Sequence, residues 1–246
     1  MRFAAIADIH GNHLALEAVL RDIRAQGIDD IVNLGDCFSG PLTAAKTADL
    51  LLDLNVVTVR GNHDRYLVEL APEAMHASDR VAYSELSERH LDWLRGLPFN
   101  ATYRDQVYLC HATPAQDNVY WLESVSPDGH VHQKPVEEIE ALAAGIDFPL
   151  MLCGHSHIPR LVRLSDGRLV VNPGSVGCPA YDDDLPYRHK VEAGHPFASY
   201  AILEKTDGIW LPDFRQVAYD HMAMAKLAAG NGRAEWASGL ATGWLR

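Results

Sequence analysis

Residues 2–12 read RFAAIADIHGN, and residues 14–27 continue as LALEAVLRDIRAQG. The first stretch is a short apolar run that stops at Asp8-Ile9-His10, and the second carries apolar residues at helical spacing. A short buried run followed by a helix of this length opens a βαβ unit. The unit repeats: Ile31 to Leu34 is apolar, residues 43–54 (TAAKTADLLLDL) are helical, and Val56 to Val59 is a third apolar run. Strands joined this way are parallel and covered on both faces.

Further along, one helical stretch is predicted from about Pro72 to Leu97, with Trp93 and Leu94 turned inward. Two β-like runs, Phe99–Tyr103 and Val107–Cys110, flank Arg104-Asp105. A helix over Pro135–Ala144 starts with proline, which suits a first helical turn, and leads to the apolar strand PLMLC at residues 149–153. RLVRLSDGRLVVN (residues 160–172) is a hairpin about Asp166-Gly167, and a second hairpin crosses Thr206-Asp207-Gly208. A helix from Asp220 to Ala229 and a short tail containing Trp236 and Trp244 end the chain. Residues 1–246 contain no repeat, low-complexity tract or linker and read as a single α/β domain.

Composition narrows the function. The 246 residues carry 21 Lys+Arg against 33 Asp+Glu, a formal net charge of −12, which argues against general nucleic-acid binding. No apolar run approaches a membrane span, and the early Asp8 and His10 interrupt anything like a signal peptide. Cys37, Cys110, Cys153 and Cys178 show no paired spacing, so a reduced, cytoplasmic chain is expected. Histidine is abundant, at 13 residues.

What ends each apolar run is the informative pattern. The runs end in Asp8-Ile9-His10, in Asp36, in Gly61-Asn62-His63-Asp64, in His111, and in His155-Ser156-His157. The C-terminal edge of an open α/β sheet is where ligands bind, so residues distant in sequence are expected to meet there. Taken singly, each has a plainer reading: a strand-end turn for Asp8-Ile9-His10, a capped helix start for Gly61–Asp64. Together they form an oxygen and imidazole donor set suited to Mn, Fe, Co, Ni or Zn. Two metals sharing a carboxylate can lower the pKa of a water and orient it for in-line attack on phosphorus.

These blocks, all present and in order, resemble the signature of the calcineurin-like metallophosphoesterases. The match is nearest to a small bacterial and archaeal phosphodiesterase-like branch, where DIHGN precedes an ALEAVL helix and a late block reads NPGSVG, here Asn172–Gly177. The resemblance implies a four-layer α/β/β/α sandwich with two mixed sheets. It implies a first metal held by Asp8, His10 and His157, a second by Asn62, His111 and His155, and Asp36 bridging them. Manganese and iron are favoured. His63 would face the substrate and protonate the leaving oxygen, Asp64 would orient His63, and Asn12 would touch phosphate. The nucleophile would be a metal-bridging hydroxide. The function implied is hydrolysis of a small phosphate ester. A dinucleoside polyphosphate hydrolase is the alternative, and a non-catalytic metal-binding scaffold is the alternative of another class.

Some departures narrow the branch. Gly35-Asp36-Cys37-Phe38-Ser39-Gly40-Pro41 lacks the extended arginine block of the Ser/Thr phosphoprotein phosphatases, and Phe38 does not supply the tyrosine ligand of purple acid phosphatases. His13 is expected on the exposed first turn of its helix. Cys37, Cys110 and Cys153 lie beside ligands, but strand neighbours point to opposite faces, so they belong in the core. Residues 176–196 read as a solvated loop and the best candidate for a substrate lid, with Arg188 or Lys190 able to reach a second phosphate. Tyr120-Trp121 is read either as a base-stacking pair or as packing under a helix. His130-x-His132 is read as surface. The tail is expected to cover the core or to contribute to a homodimer contact.

Overall fold

Alternation within single strands decides the layering. The computed structural model describes residues 1–54 and 56–246. In chain order the described elements are β1 (Arg2–Ile6), α1 (His13–Ala25), β2 (Ile31–Asn33), α2 (Ala44–Leu52), β3 (Val57–Thr58), α3 (Asn62–Glu69), α4 (Ala77–Glu85) and α5 (Glu88–Arg95). Next come β4 (Asn100–Tyr103), β5 (Val107–Cys110), β6 (Glu123–Val125), β7 (Val131–Gln133), α6 (Val136–Leu142), β8 (Leu150–Leu152), β9 (Arg160–Arg163) and β10 (Leu169–Asn172). The chain closes with β11 (Ala180–Asp183), β12 (His189–Glu192), β13 (Ala198–Thr206), β14 (Ile209–Val217), α7 (His221–Gly230) and α8 (Ala234–Thr242).

Two five-stranded sheets result, ordered β14-β13-β1-β2-β3 and β4-β5-β8-β10-β9. Both are mixed. β1, β2 and β3 run parallel, as do β5, β8 and β10, while antiparallel strands close the edges. Along β1 and its extension, Phe3, Ala5 and Ala7 enter a core shared with Leu109, Leu150, Leu152 and Val171 of the other sheet. Ala4 and Ile6 point the opposite way, against Leu16, Val19 and Ile23 of α1, Leu51 of α2 and Leu94 of α5. In β8, Met151 turns away from the inter-sheet core toward Trp121 and Ile139 under α6. Each buried Leu, Ile or Phe contributes roughly 1.5–3 kcal/mol, so period-two alternation with both faces apolar specifies sheet on sheet with helices outside. This is the expected α/β/β/α sandwich.

Three segments differ from the sequence reading. The stretch from Pro72 to Leu97 is a 3₁₀ turn followed by two helices, because Leu86 and Ser87 are extended (ψ 137 and 164°). Residues 176–196 contain a hairpin, with Asp182 opposite Lys190 and Asp183 opposite His189. Ladder pairing needs only backbone, so an Asp-rich composition hides it. The tail forms α8, ended by Gly243 in the left-handed conformation (φ 77°). Together α7 and α8 pack Met224, Ala225, Ala228 and Leu240 on Leu42. All four cysteines are free and buried. Among the described residues, no helix is long and apolar enough to cross a membrane.

Candidate metal centre

The parallel strands of both sheets present their C-terminal ends to one edge, and loops lock them together there. The Asp8 N–H donates to the Gly35 carbonyl (3.0 Å) and the His10 N–H to the Asp36 carbonyl (3.0 Å), joining the ends of β1 and β2. The Gly154 N–H donates to the His111 carbonyl (2.7 Å), joining β8 to β5. Gly61 sits against Asp36 so closely that a Cβ there would stand 2.1 Å from its Oδ1. Five site residues adopt left-handed backbone: Asp8 (φ 55°), His10 (50°), Asp36 (53°), His155 (68°) and His157 (60°). Among the described residues, the other three non-glycine residues of this kind, Arg104, Asp105 and Asp207, lie in hairpin turns. Left-handed backbone costs an ordinary residue roughly 1–3 kcal/mol, and its concentration here marks a functional edge.

Two groups of side chains converge at this edge. Asp8, His10 and His157 bring ligand-type atoms within 4.8 Å of one another, and so do Asp36, His111 and His155. Asn62 joins the second group, its Oδ1 3.1 Å from His111 Nε2. Asp36 Oδ2 lies between the groups, 3.3 Å from His111 Nε2 and 3.9 Å from His10 Nε2. All of these residues are buried except His155, which is half-buried.

The imidazoles are held in one tautomer. Nδ1 of His10 donates to the Ser39 carbonyl (2.9 Å), that of His111 to Leu34 (2.7 Å), and that of His157 to Cys178 (2.8 Å). A carbonyl only accepts, so each Nδ1 carries a proton and each Nε2 is turned inward, with a lone pair where the ring is neutral. The Nε2 atoms of His10 and His157 then face each other at 3.2 Å. Burial pushes His10 down to about 4 and His157 well below its ordinary value, so both rings are neutral near pH 7. Burial likewise takes His155 down to about 3. Two lone pairs at this distance make no hydrogen bond and fit a cation between them.

The carboxylates make the same demand. Burial pushes the Asp8 carboxyl up to about 8, with the charge of Asp36 adding to the effect. Burial also works against charge on His111, but Asp36 and then Asp8 outweigh it and raise that ring to about 10. Such a site needs positive charge, from a proton on His111 or from metal cations. Oxygen and imidazole donors, two carboxylates and ready-made acceptor geometry fit a pair of divalent transition metals.

His63 and its surroundings depart from the sequence reading. The sequence gives Asp64 the task of orienting His63. Instead, the Asp64 carboxylate accepts from the backbone N–H groups of Asp36 (2.8 Å), Cys37 (2.9 Å) and Gly61 (3.0 Å), clasping β2 to the start of α3. The partner of His63 is Asp79 on α4, whose Oδ1 accepts from Nδ1 at 2.7 Å and from Ser39 Oγ at 2.6 Å. Burial disfavours charge on His63, yet Asp36 and then Asp79 raise it to about 9. Asp79 is fully buried. Its only sequence signal is an acidic residue in a first helical turn, which helix capping explains equally well.

Asn12 does not reach the site either. It caps α1, with Oδ1 accepting from Ala15 N–H (3.1 Å) and Nδ2 donating to the Gly177 carbonyl and to Tyr219 (both 3.0 Å). His13 binds Thr43 Oγ1 at 2.6 Å, away from the centre. Cys37, Cys110 and Cys153 are buried in the core, Cys110 from within β5 and the other two from just beyond β2 and β8.

Above the centre lies a cavity of about 690 Å³. Tyr120 lines it, whereas Trp121 packs under α6 and donates to the Ile139 carbonyl (3.2 Å). The hairpin β11–β12 forms part of the wall through Tyr181, Asp182 and Asp183. The Tyr120 hydroxyl meets the Tyr181 hydroxyl at 2.6 Å and His189 Nε2 at 2.8 Å, while the Tyr181 ring lies 4.6 Å from that of His157. Neither Arg188 nor Lys190 lines the cavity: Arg188 is exposed, and Lys190 Nζ donates to the Leu245 carbonyl (3.2 Å). His130 and His132 stack on the outside of β6–β7.

Comparison with known proteins agrees with this fold. The sequence profile of the calcineurin-like phosphoesterase superfamily domain matches residues 1–204. An uncharacterised protein of Methanocaldococcus jannaschii, MJ0912, is 28% identical over 249 aligned positions, covering 95% of this chain and 94% of its own. The crystal structure of a metallophosphoesterase from Sphaerobacter thermophilus superposes with a TM-score of 0.76 at 26% identity, covering 99% of both chains. That of the hypothetical protein PH1004 from Pyrococcus horikoshii OT3 gives 0.75 at 20% identity, covering 100% of this chain and 99% of the other, and shares the fold.

Proposed function

The chain belongs to the calcineurin-like phosphoesterase superfamily, and from that membership we propose that it is a dinuclear metal-dependent hydrolase of a small phosphate ester, a phosphodiester first. The observation that carries the reading is the pair of inward-facing lone pairs on His10 and His157, 3.2 Å apart, beside a second group centred on His111. In this reading Asp8, His10 and His157 hold one metal, Asn62, His111 and His155 hold the other, and Asp36 Oδ2 is shared. Manganese or iron suits a donor set without thiolate. Two such ions would supply Lewis acidity toward the phosphoryl oxygens and a water of lowered pKa.

The remaining steps belong to the chain's own groups. With Nδ1 donating to Asp79, His63 is left with Nε2 to carry a proton toward the leaving oxygen. Two cations would cancel the share of Asp36 in raising His63 and leave Asp79 as the group that keeps it protonated. The net charge of −12 favours small substrates over anionic polymers.

The test is hydrolysis of bis-p-nitrophenyl phosphate by the purified protein with Mn²⁺. Turnover is expected, and His63→Ala is expected to lose roughly 10²–10⁴-fold with its metal content unchanged. No cleavage of diester, monoester or polyphosphate with any transition metal would leave the non-catalytic scaffold as the surviving reading. The cavity extends both toward Arg233 and toward Lys134, which supports a dinucleoside polyphosphate hydrolase as the second reading. Faster cleavage of diadenosine tetraphosphate than of any diester would favour it.

A further inference from the structure

The family profile ends at residue 204, yet part of the cavity wall comes from beyond it: Arg233, Glu235 and Trp236, at the start of α8. This wall stands on the His63 side. The Trp236 ring lies 6.0 Å from that of His10, His10 lies 5.6 Å from His63, and Tyr66 lies 5.5 Å from His63. Two aromatic side chains therefore flank the edge from which His63 would protonate a leaving group.

Polar groups converge beside these rings. Arg233 Nη1 donates to Ser78 Oγ at 2.9 Å, and its Nε donates to Glu235 Oε1 at 2.6 Å. The pairing with Glu235 offsets the arginine charge, so this part of the wall offers donors and an acceptor rather than a bare cation. The wall is also anchored. Asn231 Nδ2 donates to the Pro41 carbonyl (2.9 Å), and the Leu245 N–H donates to Glu192 (2.7 Å). A cavity of about 690 Å³ takes a ligand well beyond a phosphoryl group.

We propose that the start of α8, with Tyr66, forms a leaving-group subsite for a nucleoside: Trp236 and Tyr66 take the planar base, and Ser78, Arg233 and Glu235 meet its polar edge. Aromatic faces bordered by convergent donors and acceptors match a base, whereas an alkyl or glycerol alcohol has no planar face to stack on the rings. The proposal rests on the phosphoesterase reading for the direction in which the leaving group departs, but the subsite can be probed without turnover.

The experiment pairs nucleoside esters with glycerol esters of the same phosphate class. Adenosine 5′-monophosphate is compared with glycerol phosphate, and a dinucleoside monophosphate with glycerophosphoglycerol, each in wild type, Trp236→Ala and Tyr66→Leu. The wild type is expected to favour the nucleoside member by tenfold or more in kcat/KM. The ratio is expected to fall toward one in Trp236→Ala, and Trp236→Phe is expected to restore most of it. Calorimetric titration with adenosine is the parallel measurement, with affinity falling roughly tenfold in Trp236→Ala. A ratio near one in the wild type, or an unchanged ratio in both Trp236→Ala and Tyr66→Leu, overturns the subsite. If no ester is cleaved, the phosphoesterase reading fails, and the adenosine titration alone decides the subsite: no binding, or equal binding by wild type and both variants, overturns it.

Discussion

The floor of the cavity and its wall are built by different means. The floor residues sit at strand ends, five of them in left-handed backbone, and three of the imidazoles are fixed by backbone carbonyls 2.7–2.9 Å away. The wall near α8 is tied to the rest by a few side-chain contacts, such as Asn231 to Pro41, and by packing on Leu42. The floor is therefore preorganised, its strain offset by the two-sheet core beneath it. The wall can change by substitution without disturbing the ligand geometry. The backbone aims the floor groups, and side chains aim the wall groups.

Substitutions can break that contrast or sharpen it. Asp36→Ala removes the carboxylate shared by both ligand groups. Activity is expected to fall by ~10³-fold or more, beyond the ~10–100-fold typical of a partner one shell out, and elemental analysis should show loss of at least one ion per chain. Unchanged metal content would remove Asp36 from the bridging position.

Asp79→Asn tests a floor residue that no strand end supplies. Activity is expected to fall by ~10–100-fold. The sign of the pH effect follows from the charge. Burial opposes protonation of His63, and Asp36 and then Asp79 favour it. Without that charge the His63 pKa drops, so the alkaline limb of kcat/KM should move to lower pH. A limb that stays in place would separate Asp79 from His63.

Gly177→Ala strikes the floor through packing, since a Cβ there would stand 1.7 Å from the Ile9 carbonyl oxygen. Overpacking of this kind costs ~1–3 kcal/mol, and thermal unfolding should fall by ~2–4 °C per kcal/mol. An unchanged Tm would mean that the loop moves freely. Tyr120→Phe breaks the hydroxyl contacts to Tyr181 and His189 on the wall. One net hydrogen bond is worth about 1 kcal/mol. A shift of a few degrees in Tm with metal content unchanged is expected, and loss of metal would make the wall part of the floor.

The strand-end residues were readable because their signal is local. Each apolar run stops at an Asp, Asn or His, and a parallel sheet must bring those stops to one edge. The four-layer arrangement came from the family resemblance, and the structure supplies its physical reason: β1 and β8 are apolar on both faces. Asp79 was not readable. It reaches His63 across 16 residues from a helix whose own pattern accounts for an early acidic residue. Asn12 misled because one amide serves equally as a phosphate contact or a helix cap, and the position of Gly177 decides between them.

The sequence by itself determined the parallel direction of the first βαβ strands, the donor set at their ends and the burial of the cysteines, because periodicity and chain direction fix these locally. Only the tertiary structure decided which carboxylate meets His63, that residues 180–192 pair as a hairpin, and that the last helix lines the cavity beside His10. Those outcomes depend on side chains that meet across loops of no fixed spacing, and the interaction that selects them exists only once both partners have been brought into place.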